Sequence, residues 1–394
     1  MKTLCKANIL RVSNQTGRCL LAGIFLLCFF LLVQSCKESG SDQAVETISV
    51  KPDRVSDYKD VIDHLRIVAL STTKDAYMAS LNKVQVYDDY FFFNDNKDIL
   101  FLFKRNGDLV STSRRVMGYG KGEYHLCLDY SYNAYSKQIE VLVPGGILFF
   151  DCNFHFLRKV TFMDKELKSG YFDFINDLGE NHHLLMEMPG SMSGERTRYY
   201  IYDSKEEKII YSKSYSPDCQ YITMQRRNIS DHDFLAFPCM NYTFYKINLQ
   251  DYQLTPFVQL DFGEKAWDEG DIGGSTDIDK IRESMLKTKK SLALRTYKSG
   301  DMLVSLIKEG PRIENFKTAI INLKTKDVKV LKYDYGTIKI PFMDYYLNGV
   351  IYACVPAEKL ADYVDESLLD EESKSVFASR SDDSNYYMLE YYLK

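Results

Sequence analysis

The chain has 394 residues, of which 45% are hydrophobic and 27% are charged. These fractions are those of a globular protein and exclude a disordered, collagen-like or coiled-coil chain. Its 50 Lys and Arg residues are outnumbered by 55 Asp and Glu residues, which gives a net charge of −5. A nucleic-acid-binding protein normally carries a basic surplus, so no nucleic-acid partner is predicted.

The amino terminus has a basic segment over residues 2–18 and then an apolar run from Cys19 to Val33. Fifteen residues are fewer than the roughly 20 that span a bilayer, and together with the basic flank they are typical of a signal peptide. The run ends in Val33-Gln34-Ser35-Cys36, which resembles the lipobox of bacterial lipoproteins. The resemblance implies a signal peptide over residues 1–35 and a lipid on Cys36; the alternative is a short uncleaved anchor.

The segment after Cys36 is small and polar as far as Gln43. Such a composition cannot bury enough apolar surface to fold, so a tether is predicted over residues 36–60. The segment is similar to the acidic tethers of surface lipoproteins of Bacteroidota. This similarity implies an exported protein whose lipid holds it in the outer membrane, on either the periplasmic or the cell-surface face.

Apolar strand segments joined by polar turns recur along the rest of the chain. One unit runs from Tyr90 to Val110 and contains Asn106-Gly107, a strong hairpin signal. Six such units of about 50 residues each favour an all-β fold, a six-bladed β-propeller over residues 61–394, with an antiparallel sandwich as the alternative. The segment 65–70 is expected to complete the last blade, and short helical inserts are predicted at 280–290 and 357–378.

Cysteine and histidine patterns give no metal or disulfide signature. The cysteines beyond Cys36 are scattered without a CxxC pair, and burial as free thiols is favoured over a disulfide framework. These cysteines are Cys127, Cys152, Cys219, Cys239 and Cys354. The adjacent His182 and His183 lie on a predicted strand and point to opposite faces, so they cannot share one site. No metal and no cofactor are predicted.

The sequence Gly118-Tyr-Gly-Lys-Gly-Glu-Tyr124 follows the first predicted blade. It resembles the Gly-x-Gly-Pro-Gly-Glu-Tyr loop of a lipoprotein family of Bacteroidota, whose members are six-bladed β-propellers related to the NHL type. Lys121 stands where that family has proline. The resemblance implies the propeller fold and the lipoprotein status, and it implies no particular biochemical activity.

Two interpretations of this loop are open. In the first it is a structural connector between blades, in which Gly118, Gly120 and Gly122 permit close backbone approach while Glu123 accepts backbone N–H bonds and Tyr124 packs between sheets. In the second it binds a ligand at one mouth of the central channel, with charge-assisted hydrogen bonds to anionic groups. The candidate ligand-binding residues are Arg114, Arg115, Lys121, Glu123 and Tyr124.

No catalytic residue can be assigned, because neither a Gly-x-Ser-x-Gly elbow nor an HExxH motif occurs. A non-enzymatic binding protein with a glycan, peptide or protein partner is therefore favoured. One alternative is a lyase or hydrolase with an axial metal or carboxylate pair. The other is a structural subunit of an outer-membrane complex.

Overall fold

The computed structural model describes residues 45–162, 171–187, 198–214, 234–235, 242–272, 280, 283–284 and 287–394. Within these residues the strands form six four-stranded sheets. The first strands of successive sheets contact one another, as β7 contacts β11 and β22 contacts both β18 and β3. The predicted all-β, six-bladed propeller is thus confirmed.

Four blades consist of strands that are consecutive in the chain and pair antiparallel. The first has β3 (Lys83–Val86), β4 (Tyr90–Asn94), β5 (Leu100–Lys104) and β6 (Leu109–Thr112). The second has β7 (Asp129–Asn133), β8 (Gln138–Val143), β9 (Gly146–Phe150) and β10 (Phe156–Thr161). The third has β11 (Phe174–Asp177), β12 (His182–Glu187), β13 (Arg198–Asp203) and β14 (Lys208–Ser214). The fifth has β18 (Leu292–Ser299), β19 (Met302–Lys308), β20 (Phe316–Asn322) and β21 (Val328–Lys332).

The middle strands are apolar on both faces because each blade is covered by a neighbour on either side. In β4 and β5, Phe91, Phe92 and Phe93 and the segment 100–103 are all buried. Phe92 packs edge-on against Tyr130 of the second blade, with ring centroids 4.6 Å apart. Apolar layers of this kind between blades form the core.

The sixth blade closes the ring by pairing a strand from the beginning of the predicted propeller with the last described strand of the chain. It contains β22 (Tyr345–Leu347), β23 (Val350–Val355), β24 (Tyr387–Leu393) and, at its outer edge, β2 (Ile62–Ala69). The expectation that residues 65–70 complete the last blade is therefore confirmed. Arg105, in the last turn of the first blade, binds Glu390 of the sixth at 2.7 Å and holds the first and last blades together.

The fourth blade contains a strand that the sequence analysis placed in the tether. Its sheet has β15 (Phe234–Leu235), β16 (Thr243–Ile247), β17 (Leu254–Asp261) and, parallel to β17, β1 (Glu46–Ser49). The tether predicted over 36–60 thus needs correction from residue 46 onward. Ile48 and Val50 are buried against this blade, but two apolar residues are too few to give a strand pattern in the sequence.

Short helices occupy the turns and the insert in the last blade. The 3₁₀ helices are Tyr58–Asp60, Ser113–Val116, Gly263–Lys265, Glu269–Ile272, Ile313–Asn315, Ala357–Tyr363 and Glu366–Leu368, and the α-helix α1 is Glu371–Ala378. The insert predicted at 357–378 is therefore helical, and α1 packs on β2, where the hydroxyl of Ser373 accepts the N–H of Ile67.

In the described part of the chain, no helix is both long and apolar enough to cross a membrane.

Several predictions concern residues outside the described ranges. These are the signal peptide over 1–35, the lipid on Cys36, Cys219, Cys239 and residues 281–282 and 285–286 of the helix predicted over 280–290. The described cysteines Cys127, Cys152 and Cys354 are free thiols, and Cys127 is buried. Burial raises the pKa of the Cys127 thiol well above its usual value, which keeps it protonated and unreactive at neutral pH.

Candidate functional site

Residues 113–128, here called the connector, lead from the outer strand of the first blade to the inner strand of the second. The connector begins with a 3₁₀ turn whose N-cap is Thr112. Tyr124 is buried and anchors the segment: its hydroxyl donates to the carbonyl of Asp98 at 3.0 Å and lies 2.6 Å from the Ser113 hydroxyl. Burial raises the pKa of Tyr124 well above its usual value, so the hydroxyl stays protonated.

Glu123 and the glycines fix the tip of the connector. One carboxylate oxygen of Glu123 accepts the N–H of Gly120 at 2.8 Å. A Cβ atom at Gly118 would lie 2.2 Å from the same oxygen, so the carboxylate occupies space that only glycine leaves free. Gly122 has φ of +78° and packs on Phe156 of the second blade. In this structure Glu123, Tyr124 and the three glycines hold the connector in one conformation.

Other connector side chains point outward. The Tyr119 side chain is 87% exposed and its ring stacks on the imidazole of His125, with centroids 4.5 Å apart and planes inclined by 23°. Arg115 and Lys121 are exposed, and among the described residues neither makes an ion pair. Tyr77, from the segment that links the sixth blade to the first, is also exposed and its carbonyl accepts from Arg114 at 2.9 Å. We refer to Tyr77, Arg115, Tyr119, Lys121 and His125 as the connector patch.

The connector is basic within an acidic protein. It contains Arg114, Arg115 and Lys121 against one acid, Glu123, whereas the whole chain carries a net charge of −5. The Arg114 guanidinium lies 5.3 Å from the ring of Phe101, on the third strand of the first blade. Arg114 therefore lies over the outer half of that blade, which differs from the expectation that it lines the mouth of the channel.

Polar side chains on or next to the inner strands bind partners on the next blade. Lys83 pairs with Asp129 at 2.5 Å, Ser131 donates to Asp177, and Arg295 binds Asp344 at 3.2 Å. The partners in these pairs are 46 to 49 residues apart, which is the length of one blade. We call these residues the inner belt. Burial raises the pKa of Asp344, and its partner Arg295 offsets part of that effect.

Sequence reasoning missed the inner belt because the partners are distant in the chain. The polar residues on the first strands of the first three blades, such as Lys83, Asp129 and Asp177, are the signal that could have indicated it. In a propeller the inner strands approach one another closely near the axis. Short polar contacts fit this narrow space better than large apolar side chains.

A second buried polar group lies between the second and third blades. His183 and Glu140 are fully buried, with Nδ1 of His183 3.0 Å from a carboxylate oxygen of Glu140. Asp177 is close by, and burial together with the charge of Glu140 raises its pKa to about 7. Although burial opposes an imidazolium, the Glu140 carboxylate raises the pKa of His183. His182 points to the other face and contacts Asp203, 3.5 Å away.

This buried group offers no route to a substrate, because His183 and Glu140 have no exposed surface. Nor does any other part of the described chain bring together three His, Cys, Asp or Glu side chains in a geometry that would hold a metal ion. The connector patch, in contrast, is exposed and open to a partner.

Comparison with known proteins extends these observations. Residues 36–299 match a family model described as "6-bladed beta-propeller". A crystal structure of a candidate exported protein of Bacteroides fragilis NCTC 9343 is similar, with a TM-score of 0.66, 13% identity, and 88% of this chain and 99% of that chain covered. No curated protein matches the chain.

Two further solved structures have lower scores. The amino-terminal domain of Nup159 gives a TM-score of 0.39 at 11% identity, covering 79% of this chain and 77% of that one. The WD40 domain of Neurospora crassa Pan2 gives a TM-score of 0.35 at 10% identity, covering 65% of this chain and 66% of that one.

Proposed function

The chain belongs to the DUF5128 family of six-bladed β-propellers, and on that premise we propose that it is an exported, lipid-anchored protein that binds a partner through the connector patch and catalyses no reaction. In this proposal Cys36 carries the lipid that holds the protein in the outer membrane. The lipobox-like segment that ends at Cys36 supports the anchor. The similar fold of an exported-protein candidate from Bacteroides fragilis is compatible with it.

The observation that carries the binding proposal is the exposed ring of Tyr119 on a rigid support. Because this aromatic residue is 87% exposed, covering it with a partner would lower the free energy of the complex. The Glu123 carboxylate and the buried Tyr124 hold the connector in place beneath that ring. A partner would therefore meet a surface that loses little conformational entropy on binding.

The enzymatic alternatives have less support in the described residues. The charged side chains of the inner belt are engaged with the next blade, as Lys83 is with Asp129. The carboxylate of Glu140 and the imidazole of His183 are enclosed by packed side chains. An acid–base pair needs to approach a substrate within hydrogen-bonding distance, and these groups have no surface for such an approach.

The anchor is tested by mass spectrometry of the mature protein purified from membranes. We expect the amino-terminal peptide to begin at Cys36 and to carry an acyl-glyceryl modification. A Cys36→Ala variant is expected to leave the membrane fraction. An unmodified mature terminus, or membrane retention of that variant, would contradict the anchor.

The binding role is tested by screening the wild type against a panel of glycans and peptides and repeating the measurement with Arg115→Ala and Glu123→Ala. Both variants should bind more weakly, the first because a cation of the patch is lost and the second because Gly120 loses its hydrogen-bond acceptor. Arg54→Ala, which alters an exposed arginine in another part of the fold, is the matched control. Equal affinity of all three variants and the wild type for every ligand found would refute a role for the patch.

A further inference from the structure

We infer that the ligand of the connector patch is an anionic polysaccharide, in which a pyranose ring covers Tyr119 while carboxylate groups bind Arg115 and Lys121. The inference rests on the proposed binding function and names the class of ligand for that same surface. It is carried by the exposed ring of Tyr119, stacked on His125, and by the two exposed cations that flank this residue in the chain.

The aromatic platform offers a single open ring face. His125 stacks on Tyr119 with centroids 4.5 Å apart, so the imidazole covers one face and fixes the orientation of the phenol ring. The other face is left to solvent, because the side chain as a whole is 87% exposed. One ring face matches the apolar C–H face of one sugar ring in size, and such a contact needs no deep pocket.

Two cations flank this platform in the chain. Arg115 precedes Tyr119 by four residues and Lys121 follows it by two, and both are exposed without an ion pair in the described part of the chain. The remaining cation, Arg114, is engaged with the carbonyl of Tyr77. Charge-assisted hydrogen bonds from Arg and Lys to carboxylates are stronger than neutral ones, so a uronate is favoured over a neutral sugar.

A folded protein partner is a poorer match to the patch. A stable protein interface buries more than about 1,000 Å² around an apolar centre. Besides Tyr119, the large apolar side chains exposed on the patch and the connector are Tyr77, at 53%, and Leu126, at 39%, whereas Tyr124 is buried. A flexible polyuronate can present one pyranose ring to Tyr119 and carboxylates to the two cations, whereas a single-stranded nucleic acid presents planar bases and phosphates.

The test uses the mature lipoprotein in detergent, with polygalacturonate as the probe, neutral galactan as its uncharged counterpart, and an acidic peptide and single-stranded DNA as competing classes. Affinity is measured by isothermal titration calorimetry at low and high salt. We expect polygalacturonate to bind at least tenfold more tightly than the other three probes. We also expect its affinity to fall as salt screens the cations.

The variants identify the surface involved. Tyr119→Ala should weaken polygalacturonate binding about tenfold, which is the size of one aromatic contact. The double variant Arg115→Ala/Lys121→Ala should weaken it to a similar extent and remove most of the salt dependence. The matched control is Tyr135→Ala, because Tyr135 is 55% exposed at the other end of β7, in the turn before β8. This control should bind like the wild type.

The outcomes separate this inference from the proposed function. If galactan, the peptide or the DNA binds best and Tyr119→Ala weakens that binding, the patch is a binding site and the anionic-polysaccharide class is wrong. If polygalacturonate binds and Tyr119→Ala and Tyr135→Ala have equal effects, the assignment to the patch is wrong. If none of the four probes binds the wild type, the inference is also wrong, and the wider panel then decides on the proposed function.

Discussion

Asp177 should make the stability of the propeller depend on pH in an unusual direction. Its carboxyl group is buried between the second and third blades, where it accepts a hydrogen bond from Ser131 and lies near Glu140. Burial and the Glu140 charge raise its pKa from 3.8 to about 7. The folded protein therefore holds a proton at this site between pH 4 and pH 7, and the unfolded chain does not.

The sign and size of the effect follow from this difference. A raised carboxyl pKa in the folded state gives a contribution to stability that is fully present below pH 3.8 and is lost as pH rises toward 7. The difference corresponds to at most about 4 kcal/mol in the free energy of unfolding. The raised pKa of His183 acts in the same direction, because its stabilising proton is also lost as pH rises.

The assay is reversible urea unfolding of the wild type and of Asp177→Asn between pH 4 and pH 8. As pH rises from 4 to 8, the free energy of unfolding of the wild type should fall by several kcal/mol relative to that of the variant, since the amide has no proton to release. Asp75→Asn, which changes an exposed carboxylate, is the control and should follow the wild type. If Asp177→Asn and the wild type show the same pH dependence, the account of this buried group is wrong.

Three further substitutions test other parts of the fold by urea unfolding. Arg105→Ala removes one of the two cations that pair with the buried Glu390, while Arg66 remains 3.1 Å away, and should cost about 1.5–3 kcal/mol. A loss below about 0.5 kcal/mol would show that the Arg105–Glu390 pair does not secure ring closure. Tyr124→Phe removes the hydroxyl that binds the carbonyl of Asp98 and should cost about 1–2 kcal/mol, with faster hydrogen exchange in the connector as the confirming sign. Ile48→Ala should cost about 2–4 kcal/mol because Ile48 is buried beside β17, and wild-type stability in that variant would mean that β1 is not part of the blade in solution.

The blades could be predicted from the sequence because their signals are local. The hairpin around Asn106-Gly107 and the apolar strands beside it define the first blade within about 25 residues of chain. Closure by residues 65–70 could also be predicted, since the last unit lacks a strand and an open edge is unfavourable. β1 could not, because only its pairing with β17, more than 200 residues away, makes it a strand.

The site was accessible to sequence analysis only in part. The Gly118–Tyr124 motif drew attention to the connector, and the roles of Glu123 and Tyr124 follow from contacts within and next to it. The exposure of Tyr119 was not predicted, because the aromatic residues of this chain mostly lie on strands and are buried. The buried cluster of Glu140, Asp177 and His183 was missed for a different reason: it forms only when two blades pack together.

The central claim, that the connector patch is the surface that meets a partner, is tested most directly by photo-crosslinking in cells that express the chain naturally. A photoreactive amino acid is placed at position 119, or at position 135 at the other end of β7, and the adducts are separated by size. We predict a defined adduct from position 119 and none from position 135. Equal adducts from both positions, or an adduct from position 135 alone, would contradict the claim.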